Sequence, residues 1–253
     1  MQGCSPASPE GTLMQPNANL NSGSSLPGVV AVQSGIPGVS VLVCDSAKPG
    51  LAQVTDGLPT STAEAERAAR LRDPAARQRL LASLASARAM LGAALGIPAR
   101  EVSLGRTEDG VPFLAGYPDR AISISRSEGW TAVALGNVRA IGLDIEQVRS
   151  IDWQPMLSMI CSDTERDQML ALADASPARA LAVFFELWTV KEAVLKASGK
   201  GLGGGAKTVP VPVASLGQPV PVQQEVIAGG ARYAVWSGRV EDVFVSVAVG
   251  DAR

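Results

Sequence analysis

Apolar and polar positions along this chain change period several times, and each change predicts an element. The run Val-Ser-Val-Leu-Val-Cys at 39–44 reads as a first strand. Ser61 followed by Glu64 has the spacing of a capping box and predicts a helix through Leu71. Asp73-Pro74 then supplies an N-cap and a first helical residue for a long Ala/Leu/Met-rich helix ending near Gly96. Short strand-like runs follow at 101–104, 121–125, 131–135 and 140–146. Ser162 with Glu165 predicts a second capping box and a helix to about Asp174. Ser176-Pro177 opens the longest helix, through Trp188 to about Ser198, which the glycines of 199–205 stop. Runs at 209–213, 233–236 and 243–249 complete the pattern as a meander. The expected fold class is α+β, in two lobes of similar size: 29–139, and 140–253 carrying the candidate site. Residues 1–28, rich in Ser, Pro, Gly and Asn without period, are expected to be a disordered leader.

Composition narrows the chemistry. The chain of 253 residues has no histidine, which removes Ser-His-Asp triads, Cys-His pairs and histidine-ligated metal centres. Acid–base chemistry falls to carboxylates, lysines, tyrosines or cysteines. A formal charge of −2 and 4% aromatic residues argue against a nucleic-acid partner, which needs a basic field or a stacking platform. The widely spaced Cys4, Cys44 and Cys161 form no disulfide framework, so a reducing compartment, the cytoplasm, is expected. No apolar run is long enough to span a membrane, and no membrane role is expected.

Two segments carry candidate chemistry. In the strand Ile141-Gly142-Leu143-Asp144-Ile145-Glu146, residues two apart share a face, so Asp144 and Glu146 project side by side. Adjacent carboxylates call for a cation or a shared proton, and an oxygen-only set suits Mg²⁺ or Mn²⁺. An exposed strand end with two solvated acids is the other reading of that spacing. In the helix Trp188-Thr189-Val190-Lys191-Glu192-Ala193-Val194-Leu195-Lys196, residues Trp188, Glu192 and Lys196 fall on one stripe, with Lys191 about 100° round from Glu192. A carboxylate between lysines suits a metal-and-phosphate site, or an ordinary surface pair. The apolar composition of the rest of this helix favours burial, and buried charges need partners.

Together these segments resemble the hallmark of the 4′-phosphopantetheinyl transferase superfamily, large surfactin-synthetase type: G-x-D with a further acid, then W-x-x-K-E-x-x-x-K. Gly199-Lys200-Gly201-Leu202 and Ser162-Asp163-Thr164-Glu165 extend the likeness. Upstream, Ile122-Ser123-Ile124-Ser125-Arg126-Ser127 resembles the family's N-x-S-H-S strand, and the stretch from Glu66 through Arg79 to Arg88 its arginine-rich helix. Between Ser61 and Arg88 there are six arginines against three acids.

The resemblance implies two pseudo-symmetric α/β lobes with the site at their interface, in a monomer. It implies transfer of phosphopantetheine from coenzyme A to a serine of an apo acyl, peptidyl or polyketide carrier protein. Carried over, the metal ligands are Asp144, Glu146 and Glu192, and the catalytic residues are Glu192, Lys191 and Lys196. Coenzyme A would be held by Arg67, Arg70, Arg79, Ser125, Arg126, Lys191 and Lys196. Two departures stand out. Arg126 replaces a frequent histidine and can still bind phosphate bidentately. Val111 stands in Gly110-Val111-Pro112 where the family often has lysine, so coenzyme A binding is weaker or another arginine compensates. The alternatives are a degenerate member that binds without transfer, a Mg²⁺-dependent phosphohydrolase built on the same acids, and a non-catalytic interaction module.

Overall fold

The structure, a computed structural model, describes residues 26–46, 48, 51–199 and 205–250. Nearly all of the expected leader, Cys4 among it, and Lys200, Gly201 and Leu202 of the motif's sequel lie outside the described residues.

Strands β1 (Val29–Val32), β2 (Val39–Asp45), β3 (Leu104–Arg106), β4 (Pro112–Leu114), β5 (Ala121–Ser127) and β6 (Trp130–Gly136) form one antiparallel sheet, ordered β1-β2-β6-β5-β4-β3. Strands β7 (Ala140–Gln147), β8 (Val222–Ala228), β9 (Ala231–Val240) and β10 (Val243–Gly250) form a second, ordered β7-β10-β9-β8. The helices are α1 (Leu51–Thr55), α2 (Thr62–Ala69), α3 (Pro74–Leu95), α4 (Leu157–Ile160), α5 (Asp163–Ala175) and α6 (Pro177–Ala197).

Strand alternation explains how these pieces stack. Val41, Val43, Ala132 and Ala134 on one face of the first sheet meet Ile141, Leu143, Ile145, Val245 and Val247 of the second. The residues between them, Leu42, Cys44, Val133 and Leu135, turn the other way and pack on Ala87, Met90 and Leu91 of α3. The far face of the second sheet, with Val235, Phe244 and Ala248, takes Phe184, Val190, Ala193 and Leu195 of α6. The result is four layers, helix, sheet, sheet, helix, which is the α+β class expected. The two halves share this arrangement with unequal sheets, six strands against four.

Both capping boxes are present, Ser61 with Glu64 and Ser162 with Glu165, and Asp73 caps α3 with Pro74 in its first turn. Gly96 ends α3 in the left-handed conformation at φ 70°, which glycine adopts without steric cost.

Three expectations are corrected. The strand at 101–104 is instead a 3₁₀ turn at Ala99–Glu101 followed by β3. The run at 209–213 joins neither sheet: Pro210 and Pro212 lack the N–H a ladder requires, although Val209, Val211 and Val213 are buried as an alternating set would be. The strand of that region lies later, at β8, an edge strand with alternating exposure. The short β1, β4, α1 and α4 also form where only connecting chain was expected.

Candidate active site

Gly142 makes the site possible. A Cβ there would lie 1.9 Å from the Ala193 carbonyl oxygen and 2.5 Å from the Ala197 nitrogen. Only glycine lets β7 press against the backbone of α6, which brings Asp144 within reach of Glu192 and Lys196, the residues just before those two contacts on the helix.

Asp144 is 6% exposed. Its Oδ1 accepts from Lys196 Nζ at 2.6 Å and from Ser125 Oγ at 2.8 Å. Its Oδ2 is buried without a hydrogen-bond partner among the described residues, as is Oε1 of Glu192. Burial pushes the Asp144 carboxyl above its usual range against the opposing pull of Lys196. Glu192 is pushed up to about 7, first by burial, then by the charge of Asp144, with Glu146 adding to it and Lys196 opposing. Glu146, at the more open end of β7, accepts at Oε2 from Ser127 Oγ at 2.7 Å and from Arg149 Nη1 at 2.8 Å. The three acids expected on one site therefore act on one another electrostatically. They do not yet form a closed cage: among the described residues no three acidic or thiol side chains are gathered as ready metal ligands. The ammonium of Lys196 is the counter-charge now held by Asp144. Two orphaned buried carboxylate oxygens on mutually repelling acids fit a hard divalent cation, which takes oxygen ligands.

Lys191 is a correction. It is 1% exposed, and its Nζ donates to both carboxylate oxygens of Glu165 at 2.9 Å, to the Ala206 carbonyl at 3.1 Å and to the Val209 carbonyl. One residue from Glu192 on a helix is a turn of about 100°, and here that angle carries Lys191 away from the acids to α5 and the segment after the described gap. With its donors engaged and no exposure, it has nothing to offer a phosphate. Glu165 also caps α5 and accepts from Val211 N at 2.8 Å, so the pair pins this segment to two helices.

Ser125 is a second correction. Its hydroxyl donates to Asp144 and accepts from Ile145 N at 3.3 Å and Lys196 Nζ at 3.2 Å. One donor and two lone pairs are a hydroxyl's full capacity, which leaves none for coenzyme A.

The expected arginines separate into groups. Arg67 on α2 and Arg126 on β5 are joined by Arg106 on β3, which sequence reasoning missed. Partial burial, then the Arg67 charge, lowers the pKa of Arg126; burial, then Arg67 and Arg126, lowers that of Arg106. Like charges held together in this way mark a place suited to an anion. Arg106 also stands opposite Pro112 in the β3–β4 pairing, next to Val111, where the family lysine is missing. The signal available in the sequence was the Thr107-Glu108-Asp109-Gly110 turn, which folds Arg106 back beside that position. Arg79 shares a cavity of about 350 Å³ with Arg126. It pairs with Asp73 at the exposed start of α3. Arg70 is the exposed C-cap residue of α2, and no described contact brings it to the cluster.

A second cavity, of about 520 Å³, is lined by Val111, Phe113 and Ile122 from the first sheet's side and by Ile141, Lys196 and Ala197 from the second's. It leads to the site from between the two halves and has Arg120 and Arg139 on its wall.

Residues 140–246, from the start of β7 to the middle of β10, match the family described as the 4′-phosphopantetheinyl transferase superfamily. The chain is similar to the 4′-phosphopantetheinyl transferase gsp of Aneurinibacillus migulanus, 32% identical over 108 residues, 43% of each chain. It is also similar to the 4′-phosphopantetheinyl transferase of Bacillus subtilis, 32% identical over 111 residues, 43% of this chain and 46% of that one. With the 4′-phosphopantetheinyl transferase HetI of a Nostoc strain it shares 30% identity over 146 residues, 56% of this chain and 60% of the relative. The matched part spans about half the length of these curated relatives. The matched span takes in β7 and α6 with Gly142, Asp144, Glu146, Glu192 and Lys196, and over it the chain is similar to the 4′-phosphopantetheinyl transferase superfamily.

Proposed function

We propose that the protein transfers the 4′-phosphopantetheine group of coenzyme A to a serine of an apo acyl, peptidyl or polyketide carrier protein, releasing adenosine 3′,5′-bisphosphate. The observation that carries this reading is the pair of buried, unpartnered carboxylate oxygens, Asp144 Oδ2 and Glu192 Oε1, beside the ammonium of Lys196.

Asp144, Glu146 and Glu192 would hold Mg²⁺ or Mn²⁺. When bound, that ion neutralises charge on the diphosphate of coenzyme A as it is split. Glu192, or a water it holds, takes the proton of the carrier serine. The serine oxygen forms its bond to phosphorus, and the bond from phosphorus to the nucleotide's bridging oxygen breaks, its electron pair leaving with the bisphosphate. Lys196, which lines the 520 Å³ cavity and stays partly exposed while bonded to Asp144, places its positive charge beside the phosphoryl oxygens as their charge develops. Arg67, Arg106 and Arg126 bind the nucleotide's phosphate, Arg106 standing in for the lysine absent at Val111. Both walls of the cavity come from one chain, which supports a monomer as the working unit. Cys44 and Cys161, buried and unpaired, support a reducing cytoplasmic setting.

The test is intact mass spectrometry of apo carrier proteins incubated with the protein, coenzyme A and Mg²⁺, with an EDTA control. A mass gain equal to phosphopantetheine that EDTA abolishes is the expected result. Free phosphopantetheine with unmodified carrier would favour the phosphohydrolase. No product at all across acyl, peptidyl and polyketide carriers would leave a member that binds without transfer.

A further inference from the structure

β7 is an edge strand of its own sheet, paired to β10 on one side only. Its other edge presents N–H groups at Leu143, Ile145 and Gln147 that no strand satisfies, and buried backbone donors need acceptors. Three serines of β5 supply them. Ser123 Oγ accepts from Leu143 N at 2.9 Å, Ser125 Oγ from Ile145 N at 3.3 Å and Ser127 Oγ from Gln147 N at 3.1 Å. Alternate residues of one strand thus meet alternate residues of another through side chains, in a register advancing two for two. This ladder stitches the two sheets together where backbone pairing stops.

The hydroxyls differ in where their protons go. Ser125 donates to Asp144 Oδ1 and Ser127 to Glu146 Oε2, whereas among the described residues no acid accepts from Ser123. In each of the first two, one hydroxyl ties both the backbone and the carboxylate of adjacent residues on β7. A carboxylate with one oxygen held by a hydroxyl is fixed in rotation, and at Asp144 this leaves Oδ2 as the oxygen without a partner.

We infer that Ser125 and Ser127 are positioning residues that orient Asp144 and Glu146 for a divalent cation, and that the ladder transmits the relative placement of the two sheets to the cation's ligands. This rests on the reading of those acids as cation ligands. Ser123 is the internal control: it makes the same kind of backbone contact and touches no acid.

The experiment is Mn²⁺ binding, followed by electron paramagnetic resonance of the free ion, on wild type, Ser123→Ala, Ser125→Ala and Ser127→Ala without coenzyme A or carrier. Urea unfolding of each variant runs in parallel. Hydroxyls that orient ligands typically contribute roughly 10- to 100-fold in metal affinity. Ser125→Ala and Ser127→Ala are therefore expected to weaken Mn²⁺ binding at least tenfold, with Ser127→Thr restoring it. Ser123→Ala should lose stability while keeping wild-type affinity. Equal weakening by all three would make the ladder a general clasp and overturn the positioning role. So would unchanged affinity in Ser125→Ala and Ser127→Ala variants that unfold as single cooperative species. Should Ser125→Ala not fold, Ser127→Ala and its threonine partner decide the matter alone. Wild type that binds no Mn²⁺ would remove the cation reading itself, a failure distinct from that of the ladder.

Discussion

Lys196 Nζ lies 2.6 Å from Asp144 Oδ1, and the same nitrogen reaches the Leu143 carbonyl at 3.0 Å. The ammonium thus neutralises one oxygen of a buried acid whose other oxygen has no partner. This asymmetry leaves Oδ2 as the oxygen open to the proposed divalent cation. Asp144→Asn keeps the shape and removes the charge, so Mn²⁺ affinity and transfer should both collapse. Loss of an electrostatic stabiliser of this kind lowers turnover about a hundredfold or more. Wild-type transfer from Asp144→Ala would remove the assignment.

Lys191 should behave unlike Lys196. Removing one member of a buried ion pair strands the other, at a cost of about 3–5 kcal/mol. Lys191→Met is expected to lower the unfolding free energy measured in urea by that amount, while the molecules that remain folded keep a normal KM for coenzyme A. Full stability with lost turnover would return Lys191 to the site.

Glu192 gives a pH signature in the absence of a divalent cation. Its carboxyl holds a proton up to about 7 in the folded protein, against 4.5 as an ordinary glutamate. The raised value means its contribution to stability is present below 4.5 and is lost as pH rises through about 7, a change of about 3 kcal/mol at most. A bound cation stabilises the ionised form. The Mg²⁺-induced rise in melting temperature should therefore be larger at pH 8 than at pH 5.5, and Glu192→Gln should abolish the difference. Scanning calorimetry at the two pH values checks this.

Gly142→Ala tests the close approach of β7 and α6. Both atoms an added Cβ would strike belong to the helix backbone, so no side-chain rotation relieves the clash. Overpacking of this kind costs about 1–3 kcal/mol, and it also lifts Glu192 and Lys196 away from Asp144. Circular dichroism melts and the mass-spectrometric assay should show both losses, with transfer falling further than the folded fraction.

Arg106 and Val111 form a pair to be read together. Arg106→Ala should raise KM for coenzyme A about tenfold or more, the scale of one charged hydrogen bond, with kcat little changed. Adding Val111→Lys to it should recover part of the affinity, because Val111 immediately precedes Pro112, the residue paired with Arg106. No recovery would separate Arg106 from the family's lysine.

Local chemistry explains what was legible in the chain and what was not. The capping boxes at Ser61 and Ser162, the Asp73-Pro74 start and the glycine end at Gly96 are each settled within a turn of helix, and all four stand where the residues predict. The side-by-side acids of β7 follow from the two-residue period of a strand. Other features depended on partners distant in sequence. Lys191 and Lys196 are both lysines of one helix, yet Glu165 draws one inward and Asp144 holds the other at the cavity. The valines at 209–213 alternate like a strand, but their prolines deny them a sheet. Nothing in Ile-Ser-Ile-Ser-Arg-Ser announces that its serines serve an unpaired edge nineteen or twenty residues later. The sequence by itself determined the capped helices, the longer strands, the family motif and the acids, because these are encoded in spacing. Only the tertiary structure decided which charges pair, because a buried ion's partner is chosen by whichever opposite charge the packing of layers brings to it.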